Sequence, residues 1–462
     1  MNVLLTNPGS RNVFRTFGFV FPPTGLLYVA AYAEKMGCDV TVKDFCISND
    51  NPKNFSFKDY DIVGITSDTR QAPGAMDIAG EAKKAGCTVV IGGTHAQFVA
   101  EELLGNGSVD FVVHGEGELT FHELVTTIDN NNDLSKVRGI SYKGNGIVRK
   151  TDPRELISDL DTLPFPARHL VDMDAYTRTG FKYGNKRPVI MISTSRGCPH
   201  NCYFCAVPSI SGRGWRYRSV DSIMAELEYL YDRCGYRAVG FSDDNFTIST
   251  KRVKELCNRI IEKGYDLWWW SMSSPDILIK NEDMVELMAR AGAKSIFIGV
   301  ESASEETLKE FNKKMDGNTA EKATAILKRH RIEVYASYII GGLHDSVGSI
   351  LKTIRFARRL DTNIAQFTIL TPYPGTALYE EVKDKIFDKR WHRYDGFRLV
   401  FRHRNVSYYK IQFLLLWAYI SFYLRSSRAL KGFVKAFAKN NSVMKKILRR
   451  RFDQEPAKGF SP

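Results

Sequence analysis

Three cysteines stand close together near the middle of the chain, at Cys198, Cys202 and Cys205. Their C-x3-C-x2-C spacing lets three thiolates face one metal centre, and no fourth Cys lies nearby in the sequence. Four Cys thiolates are the usual ligands of an iron–sulfur cluster, so three predict a four-iron cluster with one iron left open. An open position separates a reactive metal site from a closed structural one. The alternatives are a zinc loop, which lacks a completing His pair, or scattered core cysteines.

The motif, with the aromatic Phe204 directly before the last Cys, resembles the signature of the radical S-adenosylmethionine (SAM) enzymes. The resemblance implies that the three thiolates hold a [4Fe-4S] cluster and that Phe204 belongs to the SAM site. It implies that the open iron binds the amino and carboxylate groups of SAM. Reduction by a donor such as ferredoxin or flavodoxin would then release a 5′-deoxyadenosyl radical, which removes a hydrogen atom from a substrate.

The cysteine loop lies where a second, independent pattern predicts chemistry. From residue 188 onward strands and helices alternate, and the predicted strands end near Thr194, Ser242, Ser271, Glu301, Gly341 and Thr371. Six such β/α units predict an open partial barrel, and reactive groups in barrels lie at the carboxyl ends of the strands. The cysteines directly follow the first of these strands, so position and motif indicate the same site.

Further candidates for SAM binding end later strands of this barrel. They are Asp243, Asp244, Asn245, Glu301, Gly341 and Gly342. The family has an acidic motif where the first three stand, which would hold the SAM ammonium group; the alternative is an N-cap cluster for the next helix. The glutamate is a candidate for ribose hydroxyls or the ammonium group, and the glycine pair would let adenine approach the backbone. No residue is assigned as a catalytic acid or base.

The first 128 residues also alternate strand and helix. Apolar runs at 3–6, 40–45, 62–66, 89–92 and 111–114 predict five buried parallel strands, and hence a doubly wound Rossmann-like domain. Ligands bind such domains at the carboxyl ends of the strands. The polar and glycine-rich residues expected at this rim are Asn7, Pro8, Thr66, Ser67, Gly92, Gly93, Thr94, His95, Gly115, Glu116 and Gly117.

The rim resembles the cobalamin-binding domain that is fused to one large class of radical SAM enzymes. The resemblance implies that the rim residues bind cobalamin, with residues 92–95 and 115–118 as the closest matches. Domains that supply a lower axial His use Asp-x-His-x-x-Gly, and none of the nine His residues has Asp two positions before it. We therefore expect cobalamin to bind without a His below the cobalt. For His95 the alternative is an ordinary loop residue.

The chain is divided into four predicted segments. They are a cobalamin-binding domain at 1–128, a linker at 129–187, a radical SAM partial barrel at 188–380 and a helical, basic region at 381–462. The linker is polar and then punctuated by proline, which favours extended chain. The expected fold class is therefore α/β, with a Rossmann-like domain followed by a (β/α)6 partial barrel.

The C-terminal region combines an apolar run with a basic tail. Residues 411–424 are apolar except for Gln412 and Ser421, a length below the roughly 20 residues of a membrane-spanning helix. From Arg425 to Arg451 the sequence has ten Lys or Arg and no acid. The tail is a candidate for peripheral contact with an anionic membrane or an acidic partner. A solvated helix that caps the barrel fits the same pattern.

Composition limits the remaining options. A chain of 462 residues, 44% hydrophobic and 25% charged, is long enough for two or three domains. Eight Cys in such a length do not form a disulfide framework, and the five outside the loop are expected to be buried thiols in a reducing cytoplasm. The first residues lead directly into a strand, so no secretory signal is expected. The net charge of +13 comes without a nucleic-acid recognition motif, so no nucleic acid is expected.

The resemblance implies a cobalamin-dependent radical SAM C-methyltransferase that acts on an unactivated carbon. A peptide or protein, a lipid, a tetrapyrrole or a natural-product intermediate would each fit as substrate. The alternative is an oxidative cyclase or a carbon–carbon bond-forming enzyme, as in the anaerobic magnesium-protoporphyrin ester cyclase. A methylthiotransferase is disfavoured, because Cys38, Cys46 and Cys87 would have to form a second cluster.

Overall fold

The computed structural model describes residues 1–9, 20–48, 50–179, 182–183, 187–313, 315 and 317–425. The basic tail singled out in the sequence lies outside these residues, apart from Arg425. The described chain contains two large sheets of seven strands each, and both consist mainly of parallel strands. Helices cover them in the alternating order that the sequence predicts, so the α/β fold class is confirmed.

The first sheet belongs to the N-terminal domain. Its strands are β1 (Asn2–Asn7), β2 (Asp39–Asp44), β3 (Ile62–Thr66), β4 (Thr88–Gly92), β5 (Phe111–Val113), β6 (Ile140–Gly144) and β7 (Ile147–Lys150). Its helices are α1 (Thr24–Lys35), α2 (Ala72–Lys84), α3 (Ala100–Gly105) and α4 (Gly117–Asp129). The strand order is β2-β1-β3-β4-β5-β6-β7, and β1 to β5 are parallel. The order reverses between β1 and β3, which opens a crevice at the carboxyl ends of these strands.

The first sheet extends beyond the predicted domain boundary at residue 128. Strands β6 and β7 form an antiparallel hairpin, and β6 pairs with β5. Asn145 and Gly146 at its turn have φ of 51° and 79°, the left-handed conformation that a two-residue hairpin turn requires. The segment at 129–187, predicted as a linker, is corrected, because it contains these two strands near its start. The Asn-Gly pair is a sequence signal for such a hairpin.

The second sheet forms the partial barrel. Its strands are β8 (Lys182–Tyr183), β9 (Arg187–Ile192), β12 (Ala238–Phe241), β13 (Trp268–Ser273), β14 (Ala293–Glu301), β15 (Glu333–Ile340) and β16 (Ile364–Ile369). Their order is β16-β15-β14-β13-β12-β9-β8, and the six strands from β9 to β16 are parallel. The predicted six-unit barrel is therefore confirmed. A separate antiparallel pair, β10 (Ser195–Arg196) and β11 (Arg216–Tyr217), flanks the cysteine loop.

Helices surround this sheet and connect it to the first. Before the barrel comes α5 (Met173–Thr179), and α6 (Val207–Ser211) follows the cysteines. The remaining helices are α7 (Val220–Glu228), α8 (Thr250–Glu262), α9 (Pro275–Lys280), α10 (Glu282–Arg290), α11 (Glu305–Glu310), α12 (Gly317–Arg329), α13 (Val347–Leu360) and α14 (Ala377–Val382). Side chains alternate between the two faces of each strand. Trp269 is accordingly buried under the outer helices, while Trp268 and Trp270 pack with Met191 on the other face.

The last described helix, α15 (Tyr408–Tyr423), closes one edge of the barrel. It packs against α13 and against the edge strand β16. The Tyr419 hydroxyl accepts from the N–H of Phe367 at 3.2 Å and donates to its carbonyl at 2.9 Å. Tyr423 does the same at Ala365, at 3.3 and 3.1 Å. These hydroxyls satisfy edge groups that would otherwise lack a strand partner.

Among the described residues, no helix is both long enough and apolar enough to cross a membrane.

Candidate active site

The cysteine loop begins directly after β10 and ends at α6. Gly197 opens it with φ of 88°, and a Cβ at this position would lie 2.3 Å from the carbonyl oxygen of Gly214. Only glycine fits such a conformation and such an approach. The Cys205 N–H donates to the Cys202 carbonyl at 3.0 Å, and the Tyr203 N–H donates to the Phe311 carbonyl at 3.2 Å. The loop is thereby tied to the end of α11.

The three loop cysteines are free thiols and half-buried. Burial raises the pKa of Cys205 to about 11, and the charges of Cys202 and Cys198 add to the effect. In the described part of the chain, no group of three or more His, Cys, Asp or Glu side chains is already gathered around one metal position. Because burial raises the pKa of all three thiols, binding of iron has to displace their protons. Three reduced thiols on one short loop fit a [4Fe-4S] cluster with one iron open.

Asp243 is predicted to bind SAM, but the structure uses it to hold the barrel strands together. It is fully buried, and its carboxylate accepts from the Thr194 N–H at 2.7 Å and from the Ser195 hydroxyl at 2.7 Å. Arg252 forms an ion pair with it at 3.5 Å. With its oxygens occupied in this way, Asp243 positions the strand end before the cysteines instead of facing a ligand.

Asn245 is likewise committed to a loop. Its side-chain amide donates to the Ser274 hydroxyl at 2.7 Å and accepts from the Thr247 N–H at 3.3 Å. The N-cap of α8 is Ser249, so the alternative of an N-cap cluster is also not what these residues form. The first and the last members of the predicted acidic motif, Asp243 and Asn245, thus have structural partners.

Asp244 is the member that faces open space, because it lines the cavity between the two sheets. Surrounding protein and the charge of Asp243 raise its pKa to about 6, although the Gly197 N–H opposes the shift. It also raises the pKa of Cys198 and Cys205, which places its charge beside the cysteine loop. Of the predicted acidic motif, Asp244 is the residue available to a ligand ammonium group.

Glu301 ends β14 in a left-handed conformation with φ of 64°, which is rare for a residue with a side chain. The pairing of β14 with β15 shifts register at this point. Its carboxylate lies 3.2 Å from the Lys313 ammonium. Burial alone would lower the pKa of Lys313, but Glu301 and the charge of Cys202 outweigh it and raise the pKa. Lys313 thus stands beside the thiols, and no motif in the sequence singled it out.

The glycine pair at the end of β15 is occupied by its own turn. The N–H groups of Gly341 and Gly342 donate to Asp345 at 3.0 and 2.9 Å. The Gly342 carbonyl accepts from the His403 ring at 2.6 Å. Neither glycine lines the cavities described below. Asp345 and His403 therefore hold these backbone groups, and the approach of adenine at this turn stays a prediction.

A cavity of about 480 Å³ lies between the carboxyl ends of the first sheet and the barrel. Eight predicted rim residues line it: Thr66, Ser67, Gly92, Gly93, Thr94, Gly115, Glu116 and Gly117. A Cβ on Gly93 would come within 2.8 Å of the Ser67 backbone, and its φ is 99°. Apolar side chains such as Leu5 and Phe121 form the inner wall. A deep, mostly apolar crevice with glycine at its rim fits the bulky cobalamin.

Three predicted rim residues do not line this cavity. The Asn7 amide donates to Asp44 at 2.9 Å and accepts from Gln71 at 2.9 Å, and Pro8 precedes the first undescribed residues. His95 is buried with its ring 4.8 Å from that of Trp391. Among the described residues neither of its ring nitrogens has a hydrogen-bond partner, and burial lowers its pKa to about 4.

An ion-pair network joins the start of α4 to the β10–β11 pair at the edge of this cavity. Glu116 accepts from Arg196 at 2.7 Å and from Arg216 at 2.9 Å, and Glu118 accepts from Arg196 at 2.6 Å. The Glu116 carboxylate also accepts the Ile157 N–H at 2.7 Å. Glu116 therefore lines the cavity, but its carboxylate is ion-paired with Arg196 and Arg216. The sequence offered no signal for the two arginine partners, which lie 78 to 100 residues along the chain from the glutamates.

A second cavity of about 440 Å³ adjoins the first. Both are lined by Thr94 of the N-terminal rim and by Ile210 of α6. Phe204, from the cysteine loop, faces this second space, and its ring packs 5.0 Å from that of Phe311. Polar side chains of the barrel such as Gln366 and Thr368 complete the wall. The cysteine loop thus stands between two connected spaces.

Comparisons with known proteins agree with this division. The model of the B12 binding domain matches residues 11–125, and that of the Radical SAM superfamily matches residues 192–357. An uncharacterized methyltransferase of Pyrococcus horikoshii is 34% identical, with 97% of each chain covered. Bacteriochlorophyllide d C-12(1)-methyltransferase of Chlorobaculum tepidum is 29% identical over 87% of this chain and 83% of its own length.

The fold is also that of a solved methyltransferase. TsrM from Kitasatospora setae, a radical S-adenosylmethionine methyltransferase, superposes with a TM-score of 0.72 at 17% identity. The superposition covers 98% of this chain and 99% of TsrM. At this identity the likeness concerns the arrangement of the two domains, and it includes both sheets.

Fold and site together define a radical SAM enzyme with a second cofactor domain. The chain belongs to the radical SAM superfamily, in the group that carries an N-terminal B12 binding domain. It is a radical SAM methyltransferase. Its cofactors are a [4Fe-4S] cluster, SAM and cobalamin. The predictions of family, fold class and cofactors are thereby confirmed.

Proposed function

We propose that this enzyme transfers a methyl group from SAM to an unactivated carbon of a peptide or protein, a lipid or another organic substrate. When bound, SAM at the cluster supplies a carbon-centred radical, and cobalamin supplies a transferable methyl group. The observation that carries the proposal is the cavity of about 480 Å³ shared by the N-terminal rim and the barrel. Because Gly93 and Asp244 line the same space, both cofactors would act on one substrate.

Two charged residues beside the cysteines suit the zwitterionic end of SAM. Asp244 raises the pKa of the Cys198 thiol and Lys313 lowers it, so a negative and a positive charge both act on this cysteine. We assign the SAM ammonium group to Asp244 and its carboxylate to Lys313. Phe204 remains the predicted neighbour of SAM within the loop. Glu301 is then a positioning residue, because it holds Lys313 in place.

For the substrate we propose the second cavity, which begins at Phe204 and extends along β15 and β16. Its wall mixes apolar groups such as Ile339 with the amide of Gln366 and the hydroxyl of Thr368. A substrate with both apolar surface and hydrogen-bonding groups suits such a wall. Gln366→Leu should raise KM for the substrate while uncoupled formation of 5′-deoxyadenosine without substrate stays unchanged.

The product ratio tests the reaction itself. The protein, reconstituted without oxygen, should contain both iron–sulfur cluster and cobalamin. Methylation predicts S-adenosylhomocysteine and 5′-deoxyadenosine in equal amounts per methylated product. An oxidative cyclase, the alternative that the sequence left open, would form 5′-deoxyadenosine without S-adenosylhomocysteine. Failure to retain cobalamin after reconstitution would contradict the proposal.

We also propose a low-potential one-electron donor, such as ferredoxin or flavodoxin, and a reducing cytoplasmic environment. The described cysteines are all free thiols, which supports a reducing compartment. Cys234 is exposed and forms no disulfide, which fits the same reducing environment. Turnover that starts with reduced flavodoxin, and that is absent with SAM alone, is the expected result.

A further inference from the structure

The outward side of α15 is a continuous apolar stripe. Its members follow one another at helical spacing of one to four residues: Tyr409, Phe413, Leu416, Trp417, Ile420 and Leu424. The side chains of Phe413, Leu416 and Leu424 are 64%, 57% and 59% exposed. The opposite side of the helix is buried against the barrel. Monomeric proteins rarely expose a contiguous apolar surface of this kind unless it contacts a partner or a membrane.

The neighbouring helix α13 exposes positive charge instead. Its exposed charged residues are Lys352, Arg355, Arg358 and Arg359, and the helix contains no acid. Arg359 pairs with Glu321 at 3.2 Å. Within the part of the chain that the structure describes, Arg355 and Arg358 have no ion-pair partner. Because α13 and α15 pack side by side, a cationic surface borders the apolar stripe.

Where the two helices end, their arginines line one shallow hollow of about 600 Å³. It is formed by Arg355, Arg358, Arg359, Asp361 and Arg425. Arg425 is held by Asp361 at 2.8 Å, and its guanidinium lies 3.6 Å from the centre of the Phe422 ring. Four guanidinium groups face two carboxylates, Asp361 in the hollow and Glu321 beside Arg359, which leaves an excess of positive charge. The planar fork of arginine suits phosphate oxygens.

We propose that α13 and α15 form a docking surface for an anionic phospholipid membrane. The apolar stripe enters the boundary between head groups and acyl chains, and the arginine hollow receives a lipid phosphate. Charge complementarity selects this occupant, because an apolar partner would leave Arg355 and Arg358 unpaired. A second copy of the chain would instead bring two cationic helices together. Membrane binding by this surface does not depend on the proposed methyl transfer.

The sequence after α15 extends the same charge pattern. Residues 426–451 contain nine further Lys or Arg and no acid. Stable attachment to a membrane surface generally takes two signals, such as an apolar insertion and a basic patch. Anionic lipids attract such basic residues over about a Debye length, roughly 8 Å at physiological salt. The stripe supplies the first signal and the arginines supply the second.

Vesicle flotation of the full-length holoenzyme tests the proposal. The wild-type protein should float with vesicles of phosphatidylcholine and phosphatidylglycerol, and much less with phosphatidylcholine alone. A double variant, Phe413→Glu with Leu416→Glu, should lower the bound fraction at least about tenfold, because it places charge in the stripe. A second double variant, Arg355→Gln with Arg358→Gln, should remove the preference for anionic lipid, on the order of tenfold.

Matched controls come from the N-terminal domain. Ile147→Glu places the same charge on an apolar side chain that is 69% exposed, and Lys53→Gln with Lys58→Gln removes two exposed cations. Both should float as the wild type does. The proposal is overturned if the wild type stays with the unbound fraction, or if the stripe variants float unchanged. It is also overturned if the stripe variants turn a dimer into a monomer in light scattering, which would identify a second copy as the occupant.

Discussion

Glu116, the N-cap residue of α4 at the rim of the N-terminal domain, accepts a hydrogen bond from Arg196 at 2.7 Å. The same guanidinium reaches Glu118 at 2.6 Å. One arginine, directly before the cysteine loop, thus holds the buried carboxylate of Glu118 and the partly buried one of Glu116. This contact fixes the cysteine loop relative to the rim of the N-terminal domain, because Arg196, Glu116 and Glu118 all line the shared cavity.

Removal of Arg196 is expected to destabilise the whole enzyme. Arg196→Ala leaves Glu118 buried without a counter-charge, which typically costs about 3–5 kcal/mol. Urea denaturation should show this loss, and cobalamin should dissociate more readily. Arg138→Ala, at an exposed arginine of the same region, should change stability by no more than about 0.5 kcal/mol. Equal midpoints for the two variants would contradict the role assigned to Arg196.

Each loop cysteine should be required for the cluster. Cys198→Ala, Cys202→Ala and Cys205→Ala each remove one of three thiolates, so iron and sulfide content should fall to near zero after reconstitution. Cys234→Ala changes an exposed free thiol away from the loop and should retain full iron content. Iron retained in any loop variant would show that another side chain serves as a ligand.

The rim glycine offers a test that separates backbone strain from contact. Gly93→Ala places a Cβ 2.8 Å from the Ser67 backbone at a φ of 99°. Gly107 has a comparable φ of 80°, but a Cβ there meets nothing within 4 Å. Both substitutions should cost about 1 kcal/mol for the left-handed conformation. Only Gly93→Ala should also lose cobalamin, measured by absorbance after gel filtration; loss in both variants would mean that strain alone is responsible.

The raised pKa of Asp244 predicts a pH dependence of stability in the cluster-free protein. Its folded pKa of about 6 lies above the usual range, so ionisation is harder in the folded state than in the unfolded state. The charge of Asp244 therefore opposes folding above about pH 6. This penalty disappears as the pH falls towards the pKa of the carboxyl in the unfolded state, roughly 4. Asp244→Asn should be more stable than wild type above pH 6 and equal to it well below.

Asp244→Glu keeps a titratable carboxylate and serves as the control. It should retain a pH-dependent difference from Asp244→Asn, whereas a constant difference at all pH values would show that packing, and not charge, is measured. In the reconstituted holoenzyme, Asp244→Asn should weaken SAM binding, since the ammonium group loses its counter-charge. Equilibrium dialysis with SAM measures this effect.

The edge of the barrel depends on two hydroxyl groups of α15. Tyr419→Phe removes the partner of both backbone groups of Phe367, which should cost about 1–3 kcal/mol. Tyr409→Phe changes a side chain that is 82% exposed and should leave the free energy of unfolding unchanged. Thermal unfolding followed by circular dichroism compares the two. If Tyr419→Phe left the free energy of unfolding unchanged, water would replace the hydroxyl at this edge.

The sequence by itself determined the features that contiguous residues create. The cysteine spacing is local, and so is the turn at Gly197, so the loop could be recognised without a fold. Alternating apolar runs likewise predicted both sheets, because each strand buried on two faces needs such a run. The hairpin of β6 and β7 was missed, although its Asn-Gly turn carried a usable signal.

Only the tertiary structure decided which members of a predicted site face a ligand. Asp243, Asp244 and Asn245 are adjacent and chemically similar, yet Thr194 and Ser274 occupy the outer two and leave Asp244 facing the cavity. The sequence also does not show that Asp345 holds the N–H groups of Gly341 and Gly342, or that Lys313 lies beside the cysteines.

The physical reason is the distance along the chain between partners. The hydrogen bond from Arg196 to Glu116 joins residues 80 positions apart, and the one from the Thr194 N–H to Asp243 joins residues 49 apart. Such pairs form because packed sheets and helices bring their side chains within about 3 Å, and local sequence does not encode that packing. Residue types fixed what chemistry this chain can perform. The three-dimensional contacts fixed which of those residues remain free to perform it.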